Sequence, residues 1–306
     1  MSRVDEALNQ ARTTVGVSEG RGPGGLDDLR VHAVDPSILE RFEAERPSQP
    51  REGGQQVQAA PLPKTLVAPA APTADSAANH VQFNPALEGK LVVSRGMSAA
   101  AIEQYRRLAA VLDDLRLQQG LRTVMMSSAL PKEGKTLSVS NLALTLSESY
   151  HRRVLLIDAD LRHPSIHEVF GVPNGPGLAD IARHPRSAIP YVEVSTRLTI
   201  LTAGRSASNP LALLSSDNVR AAVKTAAERF DCVLLDTPPV GLLPDAQLVA
   251  RLCDGVLFVI AAGATPYPLV KRAMDELGTE RIIGTVLNRV ERSALPSNYG
   301  SYYGQE

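Results

Sequence analysis

From Ile102 onward the apolar residues recur at helical intervals. Ile102, Tyr105, Leu108, Ala109 and Leu112 share one face and predict an amphipathic helix over 98–117. Beyond it the pattern changes to short, near-continuous apolar runs separated by helical stretches. The runs predict strands at 123–127, 153–157, 198–202, 231–235, 255–261 and 282–287. The stretches predict helices at 135–149, 209–228, 244–252 and 266–277. Strands that are apolar on both faces and alternate with helices require a parallel sheet covered on both sides. The expected fold is a doubly wound α/β domain: a mostly parallel sheet with helices on both faces, starting near Ala86.

Residues 1–85 read differently. They are rich in proline, contain no tyrosine, and include EGRGPGG (19–25) and APLPKTLVAPAAPTADSAA (60–78). Such stretches bury too little apolar surface to offset chain entropy, so a disordered extension is expected. Two short helical islands interrupt it. Val4, Leu8 and Ala11 follow a Ser2-x-x-Asp5 box, and Ser37 with Glu40 forms a second box ahead of Phe42. Each is read either as transient helix or as a docking segment.

Composition narrows the function. A net charge of −1 and a pI near 6.6 give no footprint for nucleic acid. Cys232 and Cys253 are too few for a disulfide framework and are expected as buried thiols of a reducing compartment. The polar start MSRVDEALNQAR carries no secretory pattern, and the longest apolar run, GVLFVIAAGA (255–264), is about half of a ~20-residue membrane span. A cytoplasmic protein is expected, with any recruitment to the inner face of the membrane left to a partner.

Three segments carry chemistry, each at the carboxyl end of a predicted strand, where open α/β sheets bind ligands. SSALPKEGKT (127–136) approximates the phosphate-binding pattern G-x-x-x-x-G-K-[ST], with Ala129 at the leading glycine position. Alanine is compatible there if that residue does not need a positive φ. Lys132, Glu133, Gly134, Lys135, Thr136 and Leu137 are expected to hold the nucleotide. Lys135 would reach the β- and γ-phosphates of ATP, and Thr136 would ligate Mg2+. VLLIDADLR (154–162) sets Asp158 and Asp160 two residues apart at a strand end. They are either turn residues or groups for metal and proton chemistry, and the preceding phosphate loop favours the second. FDCVLLDTPP (230–239) ends a third strand in Asp236, in the form of a Walker-B carboxylate that holds Mg2+. The chain closes NYGSYYGQE, so Tyr299, Tyr302 and Tyr303 share a flexible tail (299–306). The tail is read as a phosphoacceptor, or else as an aromatic anchor for a groove.

Together these segments resemble the bacterial tyrosine kinases, the P-loop autokinases of capsule and exopolysaccharide production. The resemblance spans roughly 92–306 and rests on ALPKEGKT, LLIDADLR and LLDTPP, with NPLALLSS (209–216), GTVLN (284–288) and the terminal tyrosines beside them. It implies a kinase domain over 86–298 with ATP and Mg2+. Lys135 would sit on the phosphates, Thr136 and Asp236 on the metal, Asp158 and Asp160 near metal and tyrosine hydroxyl, and Asn288 would face the adenine. It also implies a homo-oligomer, a membrane adaptor or polysaccharide copolymerase with a cytoplasmic activating segment, and a tyrosine phosphatase. The family's ring motif E-x-x-R-x-x-R is incomplete: Glu103 and Arg106 match, but the last position is Ala109, with Arg107 nearby.

A phenol with a pKa near ~10 is barely ionised at neutral pH, so positioning and charge neutralisation should dominate transfer. Asp158 is expected to take the phenolic proton and Asp160 to hold metal, with the two roles exchangeable. Transfer is expected between protomers. Two alternatives share the fold: a ParA/MinD-like positioning ATPase and an ATP-binding scaffold without kinase activity. The first normally carries a lysine directly after the loop's leading residue, where this chain has Leu130.

Overall fold

A computed structural model describes residues 30–32, 82–184, 189–205, 208–242 and 244–290. The helical islands around Val4 and Phe42 and the tyrosines at 299, 302 and 303 lie outside the described residues.

Eight strands form one sheet in the order β1-β8-β7-β2-β6-β3-β5-β4. They are β1 (Arg30–His32), β2 (Thr123–Ser128), β3 (Val154–Asp158), β4 (Val192–Glu193), β5 (Leu198–Leu201), β6 (Cys232–Asp236), β7 (Gly255–Ala261) and β8 (Ile282–Asn288). From β8 through β5 every pairing is parallel, and the antiparallel strands β1 and β4 flank the two edges. The described helices of four or more residues are α1 (Ala99–Gln119), α2 (Lys135–Glu148), α3 (Ile166–Val169), α4 (Leu178–Arg183), α5 (Pro210–Leu214), α6 (Asp217–Arg229), α7 (Asp245–Ala250) and α8 (Tyr267–Leu277).

Because successive strand residues face opposite sides, each central strand feeds two cores. Met125, Leu155, Ile157, Val233 and Leu235 pack on the side of α6, α7 and α8. Val124, Met126, Leu156 and Leu234 pack on the other side with Leu108 and Leu112 of α1 and Leu142 of α2. Helix α1 begins at the Ser98 cap and ends where Gly120 turns left-handed at φ 71°. The single helix expected over 209–228 is instead two, α5 and α6, because the Ser216 hydroxyl accepts from the Val219 amide and starts a new helix.

Elements the pattern did not predict are short. Strand β1 arises inside the segment expected to carry no sheet and pairs with Thr285–Leu287 of β8. Residues 82–98 then strap across the α2 face. Phe83 packs on Phe170 with ring centroids 5.6 Å apart, and the Val92 amide donates to Asn141 Oδ1 at 2.8 Å. No helix among the described residues is long and apolar enough to cross a membrane.

Candidate active site

The order β2-β6-β3 brings the carboxyl ends of three adjacent strands together, and Asp158 stands directly opposite Asp236 in the β3–β6 register. The loop leaving β2 takes its left-handed turns at Lys132 (φ 62°) and Gly134 (φ 93°), not at Ala129. That is the physical reason alanine serves at the leading position, where it is buried with 2% exposure. Glycine is needed at 134 on two counts: its φ is positive, and a Cβ there would run into the Asn288 amide.

The loop is clamped by the carboxyl end of β8, two strands away in the sheet. Asn288 Nδ2 donates to Glu133 O at 2.8 Å, and Arg289 Nη2 donates to Lys132 O at 2.7 Å. Glu133 turns its carboxylate inward, accepting from the Leu130 amide at 2.7 Å, the Ala261 amide at 3.3 Å and the Thr265 hydroxyl. A buried carboxylate with three donors is a strut for the loop. Only its backbone is left for a nucleotide. Asn288 is likewise committed to the loop backbone.

Helix α2 starts at Lys135 behind Gly134, and no side chain caps its first turn. Uncapped amides with the helix's partial positive charge form a site for an anion. Thr136 Oγ1 donates to Asp236 Oδ2 at 2.5 Å and accepts from Ser165 Oγ at 3.0 Å. Asp236 is 1% exposed, and its second oxygen, Oδ1, is buried without any hydrogen-bond partner. Burial pushes Asp236 up to about 7, only partly offset by the hydrogen bond from Thr136 and the charge of Lys135.

Asp158 is fully buried and spends both oxygens on backbone. Oδ2 accepts from the Ser165 and Ile166 amides, each at 3.0 Å, and Oδ1 accepts from the Asp160 amide at 3.2 Å. Burial first, and the neighbouring Asp236 second, hold it well above the ordinary carboxylate range against those amide bonds. Asp160 accepts from the Arg162 and His163 amides through Oδ1 only, at 3.2 and 3.0 Å. Arg162 in turn forks onto Asp245, with Nε 2.6 Å and Nη2 3.3 Å from the carboxylate.

The donor set fits a hydrated divalent cation beside phosphate. No group of three or more His, Cys, Asp or Glu among the described residues is arranged to hold a metal alone. A phosphate-bound Mg2+ needs only one or two protein carboxylates, and the orphaned Asp236 Oδ1 next to the Thr136 hydroxyl supplies one.

Lys135, Thr136, Asp158, Asp160 and Asp236 thus converge at one sheet end, while Asn288 and Glu133 support the loop. Ser165 and Asp245 escaped the sequence reading. Ser165 lies in HPSIH with no pattern of its own, and Asp245 looks like an ordinary first-turn acid of α7. At the incomplete ring motif, Ala109 is fully buried against the sheet. Glu103 pairs with Arg106 and Arg107 at 3.9 and 3.6 Å on the exposed side of α1.

No family model matches the chain. It is 34% identical to tyrosine-protein kinase YwqD of Bacillus subtilis over 206 residues, 66% of this chain and 86% of that one. It is 32% identical over 226 residues to the succinoglycan biosynthesis transport protein ExoP of Rhizobium meliloti, covering 71% of this chain and 28% of ExoP. Among solved structures, the kinase domain of the Escherichia coli tyrosine kinase ETK is 30% identical with a TM-score of 0.60, covering 64% of this chain and 78% of that one.

Proposed function

Because the chain belongs to the bacterial tyrosine kinases, we propose that it moves the γ-phosphoryl group of ATP onto its own Tyr299, Tyr302 and Tyr303. The observation that supports this best is the uncapped start of α2, with Thr136 bonded to an Asp236 whose other oxygen is orphaned. Kinship with YwqD favours a kinase over a positioning ATPase.

In this reading the α2 amides and Lys135 receive the phosphates, and Thr136 with Asp236 holds Mg2+. When bound, that ion would neutralise phosphate charge. The phenolic oxygen forms its bond to the γ-phosphorus as the bond to the bridging β–γ oxygen breaks, leaving ADP. The hydrogen bonding favours exchanging the two aspartate roles expected from the sequence. Asp158 is consumed in holding the Ser165 and Ile166 amides beside Asp236, so it orients the metal side of the site. Asp160, whose Oδ2 takes no hydrogen bond from the described residues, accepts the phenolic proton and passes it to solvent. The reading places the protein in exopolysaccharide production, with a membrane adaptor as activator, a phosphatase as the reset and transfer between protomers.

The test is a complementation. The triple variant Tyr299→Phe, Tyr302→Phe, Tyr303→Phe should bind ATP and lose self-labelling. A Lys135→Met variant should lose transfer by about a thousandfold or more, since it deletes a charge aimed at the transferred group. Mixed, the first should label the tail of the second, as read by mass spectrometry. Brisk ATP hydrolysis with no tyrosine labelled would return the positioning ATPase; phosphate elsewhere would remove the tail as substrate.

A further inference from the structure

The carboxylate of Asp245 is 1% exposed, yet it is not part of the phosphate or metal machinery above. Its partner is the forked guanidinium of Arg162, itself about one-third exposed. A buried carboxylate left without its cation is costly, so this pairing is strongly imposed. What distinguishes it from a simple surface clip is the other end of Arg162. The Arg162 amide, with that of His163, holds Oδ1 of Asp160. One residue therefore grips the proposed base through its backbone and a second loop through its side chain.

The two loops leave neighbouring strands. Asp160 and Arg162 follow β3, and Asp245 opens α7 after β6, whose last residue is Asp236. The contact runs across the mouth of the site at the carboxyl ends of both strands. The sheet register does not depend on it, because β3 and β6 are already paired from Val154–Cys232 to Asp158–Asp236.

We propose that Asp245 is a positioning residue for the transfer, acting through Arg162 to fix the Asp160 carboxylate toward the acceptor; this rests on the kinase reading. Among the described residues the latch makes no hydrogen bond or ion pair to the uncapped turn of α2, so it bears on the turnover step and not on nucleotide affinity. An arginine is required by the fork: lysine would keep the charge opposite Asp245 but lose the two-point geometry that sets the loop.

The test uses the full chain with a glutamate–tyrosine copolymer as acceptor, so that the result does not depend on the tail. Arg162→Gln and Asp245→Asn should each lower kcat by about tenfold to a hundredfold, as outer-shell changes do, with KM for Mg-ATP moving less than about threefold. The double variant should be no slower than the worse single one, because both break the same link. Arg162→Lys should fall between wild type and Arg162→Gln. Arg162→Lys keeps a cation opposite the buried Asp245, and Asp245→Asn removes the buried charge, so both should fold even if Arg162→Gln, which leaves Asp245 unpaired, does not. Full kcat in the Arg162 variants, or multiplied losses in the double variant, would overturn the latch while leaving the kinase reading standing. A wild type that binds ATP but labels neither copolymer nor tail would overturn the kinase reading and the latch together.

Discussion

The two ends of the sheet hold carboxylates under opposite conditions: Asp158 and Asp236 are buried at one, whereas at the other Asp113 is buried, Asp231 half-buried and Asp254 exposed. At the amino-terminal end they are saturated with cations and donors. Asp113 accepts from Arg152 at 2.8 and 2.7 Å and from Arg116 at 2.9 Å. Asp231 pairs with Arg153 at 3.2 Å, and Asp254 Oδ2 accepts from the Arg122 and Thr123 amides and the Thr123 hydroxyl, each at 2.8 Å. Burial alone would raise Asp113 and Asp231, but their arginines outweigh it and hold both below the ordinary range. At the carboxyl-terminal end Asp158 and Asp236 face each other in register, both raised, with one oxygen orphaned. A fold that stabilises its carboxylates at one end and leaves them strained at the other has marked where an external cation and phosphate belong.

The largest effect that sharpens this contrast is at Asp160. If it is the base, Asp160→Asn should lower kcat by about a hundredfold or more with the melting temperature held, since only one of its two oxygens accepts backbone amides and asparagine keeps an oxygen for them. Asp158→Asn should do the opposite in part: it disturbs the amides of Ser165 and Ile166, so thermal stability and Mg2+ affinity should fall along with turnover. Measuring kcat, Kd for Mg-ADP and Tm on both variants separates them. Equal profiles would remove the division of roles.

A smaller effect is the pH dependence of metal binding. Asp236 is raised to about 7 from 3.8, so without metal it is increasingly protonated as pH falls through 7. Binding a divalent ion requires the carboxylate and so releases a proton. Apparent affinity should therefore rise between pH 6 and pH 8 and level off above, by roughly tenfold per unit at most on the acid side. Calorimetry in two buffers of different ionisation enthalpy counts the proton. An affinity flat over that window would mean Asp236 is already ionised or is not a ligand.

Much of this contrast was legible in the chain. Strands buried on both faces leave continuous apolar runs, so β2, β3, β6, β7 and β8 begin and end within a residue of their expected bounds. The three motifs mark the functional end because phosphate and metal chemistry need fixed residue types at fixed spacings. The break between α5 and α6 was missed in the single helix expected over 209–228, although the serine cap that makes it closes NPLALLSS. Elements held by distant partners were not readable. Helix α3 exists because Asp158 takes its first amides, and β4 is a two-residue strand pinned to β5. Glu133 reads as a ligand-facing loop residue until Ala261 and Thr265 are seen to claim its carboxylate. The saturated end left no local pattern either, since Asp113 and Arg152 belong to different helical and strand neighbourhoods.

That saturated end supplies the mildest test. Asp113→Asn keeps the shape of the side chain but removes the charge that faces Arg152 and Arg116, both of which then lose their charge-assisted bonds. Such bonds contribute about 1–3 kcal/mol, and Arg152 is partly solvated, so the lower half of that range is expected. For a domain of this size the melting temperature should drop by roughly 2–6 °C. Turnover and nucleotide affinity should stay at wild-type values, because the pair lies at the opposite end of the strands from Lys135. The pH dependence fixes the origin of the loss. Asp113 is lowered from 3.8 in the folded protein, so its contribution is complete above that value and disappears as pH falls through the folded value. The difference in melting temperature between wild type and variant should therefore be constant above pH 5 and shrink toward zero in stronger acid. A difference that persists in acid would trace the loss to packing and not to charge. A fall in kcat at neutral pH would show that the two ends of the sheet are coupled after all.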